Sequence, residues 1–331
     1  MTLYLHGLGH FHPENEITNR FLEELEIGTS DAWILERVGI RSRRTVLPLD
    51  YIRTTRNREP RAALEAALHD NASMACRAAA QALARAGIAR EDVGLVIAGG
   101  SAADTASPAE ACNVAHALEL EVPAFDVVSA CTSFLAQLHW LSCMDPARLP
   151  DFVLLAVPEG LTRTVDYGDR SAAVLWGDGA VAAVASTRVP GRARILDTSF
   201  ASNPLHADKV AIPRLGHFRQ QGRVVQAFAI RRTAQLFADL RERHAEGARR
   251  LHFVGHQANL RMLESVCREC GIPPERHHHN VELFGNTAAA SAASVLSMEW
   301  EKWRDDDDVA VAAVGAGLSW SSCLVRFEAG S

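Results

Sequence analysis

Cys131 lies in the run Phe125-Asp126-Val127-Val128-Ser129-Ala130-Cys131-Thr132-Ser133-Phe134, where an apolar stretch gives way to small residues and then to a helical pattern. A thiol at a helix start meets unpaired N–H groups and a partial positive charge. Both favour the thiolate, the form that attacks a thioester carbonyl. Taken alone, such a cysteine is more often a packing residue, so its meaning depends on its company. Two further strand-to-helix junctions carry polar groups: Val254-Gly255-His256-Gln257-Ala258-Asn259 and Phe284-Gly285-Asn286-Thr287-Ala288. A fourth segment, Val314-Gly315-Ala316-Gly317-Leu318-Ser319-Trp320, is a flexible turn whose backbone N–H groups can approach a reacting oxygen. Cys, His and Asn at such junctions collect at one end of a parallel sheet, where ligands bind.

Other clusters invite chemistry and are better explained without it. The Asp305–Asp308 run reads as a solvated loop before a strand, with no suitably spaced His or Glu to complete a metal cage. Cys267 and Cys270 form C-x-x-C but share a helical stripe with Leu263 and Val266, which indicates core packing; a zinc site needs four ligands in suitable loops. The His277-His278-His279 triplet leads into a strand before Phe284-Gly285.

The elements that must position these residues follow a strand–helix alternation run twice. In the first half, strands are expected at 3–9, 92–100, 123–129 and 151–158, with a hairpin-like pair across 171–187. Runs such as Leu95-Val96-Ile97-Ala98 lack polar alternation, as when both faces of a sheet are covered. Helices are expected at 72–86, after Ser107-Pro108, and from Cys131 onward. The second half has expected strands at 193–199, 250–255, 278–283 and a pair across 309–328, with helices at 226–244, 259–270 and 287–303. The pattern gives an α/β chain in two halves, 1–187 and 188–331, fused around one core because each alone leaves a sheet face open. Val93–Ala98 and Leu251–Gly255 occupy matching places, a weak sign of internal duplication.

Composition narrows the function. The 331 residues are 48% hydrophobic, enough for a large core, and the net charge of -6 shows no basic stripe for nucleic acid. No apolar run approaches the ~18 residues of a membrane span. The N-terminus lacks a basic start followed by an apolar stretch, so no secretory leader is expected. Seven scattered cysteines point to reduced thiols and a cytoplasmic setting.

The ordered landmarks are specific. Thr29-Ser30-Asp31 with Trp33-Ile34, Arg37-Val38-Gly39-Ile40-Arg41, the Cys131 segment, Gly177-Asp178-Gly179-Ala180, His-Gln-Ala-Asn, Gly-Asn-Thr and Gly-Ala-Gly-Leu-Ser-Trp appear in sequence. Over nearly its whole length the chain resembles the β-ketoacyl-acyl carrier protein synthase III family. The resemblance implies a thiolase-like fold: two duplicated βαβαβ-type halves in a layered α/β/α/β/α core, assembled as a homodimer. It implies that Cys131 takes an acyl group from a coenzyme A or acyl carrier protein thioester. The backbone N–H groups of Cys131 and Ala316 would form an oxyanion hole, while His256 and Asn286 bind the carbonyl of a malonyl-type partner as it loses carbon dioxide. No metal or redox cofactor is implied. By the same resemblance Trp33, Arg37 and Arg170 contact coenzyme A, Asn259 lies near the pantetheine arm, and Arg261 docks the carrier protein. Each arginine could equally be a solvated surface residue.

Departures from the family bear on substrate. The aromatic residue that closes the acyl pocket across the dimer in acetyl-primed enzymes is matched here by Ser107, whose small size opens the pocket. Ser107, Pro108 and Glu110 also read as N-cap, N1 and capping box. No glutamate base stands near this place, as it does in relatives that join two fatty acyl chains without decarboxylation. Leu47–Asn71 is long and carries Arg53, Arg56, Arg58 and Arg61, suited equally to a tunnel mouth or carrier contact and to a solvated lid. A family docking lysine is replaced by Ala229, with Arg231 and Arg232 beside it. Together these resemble ketosynthases of dialkylresorcinol-type pathways, which condense medium-chain β-ketoacyl intermediates, so that the partner thioester is of malonyl or β-ketoacyl type. The alternatives are acyl transfer from Cys131 to an alcohol or amine, and a non-catalytic partner subunit.

Overall fold

The computed structural model describes residues 2–214, 216–244 and 249–328. Its main sheet is built from β1 (Leu3–Phe11), β2 (Val93–Ala98), β3 (Ala124–Asp126), β4 (Phe152–Glu159), β5 (Gly179–Ser186), β6 (Ala193–Ser202), β7 (Arg250–Gly255), β8 (Asp307–Gly315) and β9 (Ser319–Phe327). The strand order is β7-β8-β9-β6-β1-β5-β4-β2-β3. The duplication is plain in the pairing. In the first half β2 lies parallel to β4, which pairs antiparallel with β5, and β5 with β1. In the second, β7 lies parallel to β8, which pairs antiparallel with β9, and β9 with β6. The halves meet where β1 and β6 pair over Leu3–Ile195, Tyr4–Arg194 and Leu5–Ala193.

Helices fill three further layers: α1 (Asn71–Ala86), α2 (Glu110–Ala117), α3 (Ser133–Cys143), α4 (Gly222–His244), α5 (Leu260–Cys270) and α6 (Ala290–Met298). The middle pair, α3 and α6, shares one core with both half-sheets: Phe134, Leu138, Ala293 and Leu296 pack with Leu5, Leu155, Val311 and Val325. Helices α1 and α2 cover the outer face of the first half, and α4 and α5 that of the second. This is the expected α/β/α/β/α order. The alanine face of α1 (Ala75, Ala78, Ala79, Ala82) lets it lie directly on β1. A Cβ at Gly7 would stand 2.3 Å from the Ala82 carbonyl oxygen, so only glycine fits there.

Several expectations need correction. The stretch 171–187 is not a hairpin. Asp169 accepts a hydrogen bond from Ser171 N–H and starts a short helix, Arg170–Ala173, and only β5 follows. Nor is 278–283 a strand. His277 makes one isolated bridge to Phe253, after which Asn280 and Val281 N–H groups donate to Gln257 Oε1 and turn the chain into the helix Val281–Phe284. Ser107 does not cap α2. Asp126, at the end of β3, accepts from the N–H groups of Glu110 and Ala111 at 2.9 and 2.8 Å, so a distant carboxylate does the capping. Asp307 and Asp308 are not solvated. They are buried in β8, where Asp307 pairs with Arg250 and Asp308 with Arg249 and Arg326.

Candidate active site

Cys131 occupies a 3₁₀ turn, Ala130–Thr132, between β3 and α3. Ala130 is left-handed, with φ of 46°. A non-glycine residue held so costs about 1–3 kcal/mol, and local hydrogen bonds over-determine it. Ser133 Oγ accepts from Ser129 N–H at 2.9 Å and donates to the Ala130 carbonyl at 2.7 Å, while Thr132 Oγ1 donates to the Ser129 carbonyl. The β8–β9 turn closes over this point. A Cβ at Gly315 would stand 3.0 Å from Cys131 N and 3.3 Å from its Cβ. Ser319 Oγ ties the turn down by hydrogen bonds to Thr132 Oγ1 at 2.9 Å and to the Ala316 carbonyl at 3.1 Å.

His256 follows β7 and continues its pairing, its N–H donating to the Ala312 carbonyl at 2.8 Å. Its Nδ1 lies 2.7 Å from Ser291 Oγ, near the start of α6. That hydroxyl also accepts from Gln257 N–H at 3.2 Å. Donating its own hydrogen to Nδ1 completes its bonding and places the imidazole proton on Nε2. Burial holds His256 down to about 4, so the ring is neutral at physiological pH and can offer a hydrogen bond without charge.

Asn286 is fixed at both ends. Its N–H donates to the Leu175 carbonyl at 2.8 Å, and its own carbonyl accepts from Gly177 N–H at 3.0 Å. Its side-chain Oδ1 accepts from Ala288 N–H at 2.9 Å, which leaves the Nδ2 hydrogens as donors. Ala288, at φ 44°, interrupts the helix expected from 287 and delays α6 to Ala290.

Cys131, His256, Asn286 and Ala316 all line one cavity of about 320 Å³, together with Trp33, Arg37 and Asn259. Val174, Phe218 and Met262 supply apolar wall. Arg170 does not line it but stacks on Trp33, its guanidinium 4.9 Å from the ring centroid, with Arg37 at 5.7 Å. An indole with two guanidinium groups beside it offers the aromatic face and positive charge that suit a flat, phosphate-bearing ligand. Asn259 also caps α5, its Oδ1 accepting from Met262 N–H at 2.8 Å.

The remaining expected residues have other surroundings. Ser107 is exposed and lies off the cavity of its own chain. Arg261 donates to the carbonyls of Leu35 and Glu36 and pairs with Glu264, which ties α5 to the helix Asp31–Arg37. None of 47–71 lines the cavity. Buried Asn57 donates to the carbonyls of Arg163 and Val165, both at 2.8 Å, and its own carbonyl oxygen lies 2.7 Å from His217 Nε2, beside Phe218. Ala229 does line the cavity, and Arg232 stacks on Trp320 at 4.2 Å. Cys267 is buried in the core on α5.

The expected thiolate is reversed. Burial, and secondarily the Glu159 carboxylate, push the Cys131 thiol up to about 12, so it is protonated at rest. Sequence reasoning missed Glu159, Ser291, Trp176 and Phe218. Ser291 and Glu159 act through contacts 35 and 130 residues distant along the chain, which no local spacing reveals.

Comparison with known proteins agrees with this architecture. Residues 125–204 match the model for 3-oxoacyl-[acyl-carrier-protein] synthase III, and residues 249–327 that for its C-terminal part. The β-ketoacyl-[acyl-carrier-protein] synthase III of Oceanobacillus iheyensis is 30% identical, over 99% of both chains. The crystal structure of the 3-oxoacyl-[acyl-carrier-protein] synthase III of Aquifex aeolicus superposes with a TM-score of 0.86 at 28% identity, covering 98% of this chain and 100% of that one. The priming β-ketosynthase of a polyketide biosynthetic pathway superposes with a TM-score of 0.77 at 25% identity, covering 98% and 96%. Among the described residues no helix is long and apolar enough to cross a membrane.

Proposed function

The chain belongs to the β-ketoacyl-[acyl-carrier-protein] synthase III family and is an acyl-transferring condensing enzyme, and from that premise we propose how its own residues do the chemistry. The observation that carries the reading is the convergence of Cys131, His256 and Asn286, from three separate junctions in both halves, on one cavity with the Trp33–Arg37 platform.

In the first step the sulfur of Cys131 attacks the carbonyl of an acyl thioester. Its proton passes to the departing pantetheine thiolate, so one carbon–sulfur bond forms as another breaks. The N–H groups of Cys131 and Ala316 stabilise the oxyanion. In the second step a malonyl thioester places its carbonyl against His256 Nε2–H and Asn286 Nδ2–H. Carbon dioxide departs, and the electron pair it leaves becomes an enolate held by these two neutral donors. The enolate carbon attacks the acyl carbonyl, and the Cys131 thiolate leaves and takes up one proton, returning to the resting thiol. Acyl thioester, malonyl thioester and one proton thus give β-ketoacyl thioester, carbon dioxide and free thiol.

The finer reading is that acyl chains of medium length are taken, in a specialised fatty-acid or polyketide-like pathway. The small side chain of Ser107 supports it, as does the apolar wall of Val174, Phe218 and Met262. We further place the enzyme in the cytoplasm as a homodimer that meets an acyl carrier protein. Release of carbon dioxide from a malonyl thioester tests the reaction. It is expected from wild type once Cys131 is acylated, and it should fall about 100-fold in Asn286→Ala, as on losing one oxyanion donor. An acyl-enzyme that forms while malonyl thioesters never lose carbon dioxide would instead identify an alcohol or amine acceptor.

A further inference from the structure

Glu159 ends β4, is wholly buried, and does not line the cavity. Its carboxylate accepts four hydrogen bonds from three donor groups, none of them charged. Ser101 N–H donates to both oxygens at 2.9 Å, Ser101 Oγ donates at 3.0 Å, and Ala289 N–H donates at 3.1 Å. These donors belong to the two segments that frame the chemistry. Ser101 opens the stretch that carries Ser107. Ala289 follows the left-handed Ala288, whose N–H holds Asn286 Oδ1 and so aims the Asn286 donor. The fit is close, since a Cβ at Gly100 would stand 3.1 Å from Glu159 Cδ.

A buried carboxylate without a cation is expensive unless it is fully hydrogen-bonded or protonated. Arg163 lies four residues along, but its guanidinium is spent on Asp104 at 2.5 Å and on the Gly160 carbonyl at 2.8 Å. Asp178 disfavours charge on Glu159 as well. Burial raises Glu159 to about 7, so its charge changes near physiological pH.

We propose that Glu159 is a positioning residue that pins the Asn286 turn through Ala289 and ties it to the segment that opens at Ser101. This role rests on the function proposed for Asn286.

Acyl loading of Cys131, read by intact mass, and carbon dioxide release from malonyl thioester test this role. Glu159→Asp keeps the carboxylate but shortens the reach to Ala289. It should load Cys131 like wild type while releasing carbon dioxide about tenfold more slowly. Glu159→Gln keeps an acceptor oxygen at full length and should restore release to near the wild-type rate. Undiminished release in Glu159→Asp, or a loss shared equally by loading and release, overturns the proposal. Should Glu159→Asp not fold, Ser101→Ala removes a donor to the carboxylate. It should slow release with loading unchanged, and an unchanged release counts against the proposal. Release by wild type tests the condensation reading on its own, so failure of that reading is distinguishable from failure of this one.

Discussion

At the scale of single residues the site works by fixing which atom of each side chain can donate. Ser291 commits the His256 proton to Nε2, and Ala288 N–H commits the Asn286 amide to its Nδ2 face. Ser291→Ala removes the first constraint. It should cost about 1–1.5 kcal/mol in the decarboxylating step, roughly tenfold in rate, while acyl loading of Cys131 proceeds unchanged. Carbon dioxide release read against acyl-enzyme mass checks this, and equal loss in both steps would contradict it. The junction places of Cys131 and His256 were legible from the sequence because each follows an apolar strand, whereas Asn286 follows the short helix Val281–Phe284 in place of the strand expected there. The protonation states were not legible. The helix start at Cys131 suggested a thiolate, whereas enclosure by protein and the unseen Glu159 make it a thiol.

At the scale of elements, the small residues of α1 and α6 and the unbroken apolar runs of β2 and β4 announced a covered sheet and its helices. What could not be read locally was where a long-range partner decides an element's fate. Helix α2 is the clearest case. The Ser107-Pro108-Glu110 pattern resembles a self-contained cap, yet Asp126 supplies the cap from β3 and Glu110 turns inward to Asn71. Asp126→Ala should therefore destabilise the protein by about 1–2 kcal/mol, seen as a lower midpoint in chemical denaturation. Ser107→Ala should leave that midpoint unchanged. The reverse ranking would restore the local cap. The aspartates of β8 teach the same lesson, since only their neighbours Arg249, Arg250 and Arg326 show why they are buried.

At the scale of the whole molecule, two like halves place α3 and α6 back to back, and their first turns carry the site between the half-sheets. The price of this deep core is a set of histidines kept neutral by burial. His10, His256, His277 and His278 are lowered to about 4 and His12 to about 3, against about 6.5 in the unfolded chain. Between pH 4 and 6.5 the unfolded chain binds more protons at these five groups, so their contribution to stability falls as pH falls. Glu159 and Asp178, raised to about 7 and about 6, work the other way, since the folded chain holds their protons more tightly. His6 and His252 are lowered by burial as well and Glu110 is raised, so seven histidines outweigh three carboxylates, and the denaturation midpoint should be lower at pH 5 than at pH 7.5. An equal or higher midpoint at pH 5 would show that these histidines are not held neutral.

The most direct test of the central claim is intact-mass analysis after incubation with a panel of acyl thioesters, comparing wild type with Cys131→Ala. One acyl adduct is expected on wild type, removed on adding a malonyl thioester, with medium chains loaded in preference to acetyl, and none on Cys131→Ala. An adduct that persists in Cys131→Ala would contradict the assignment of the nucleophile, and loading by acetyl alone would contradict the open acyl pocket.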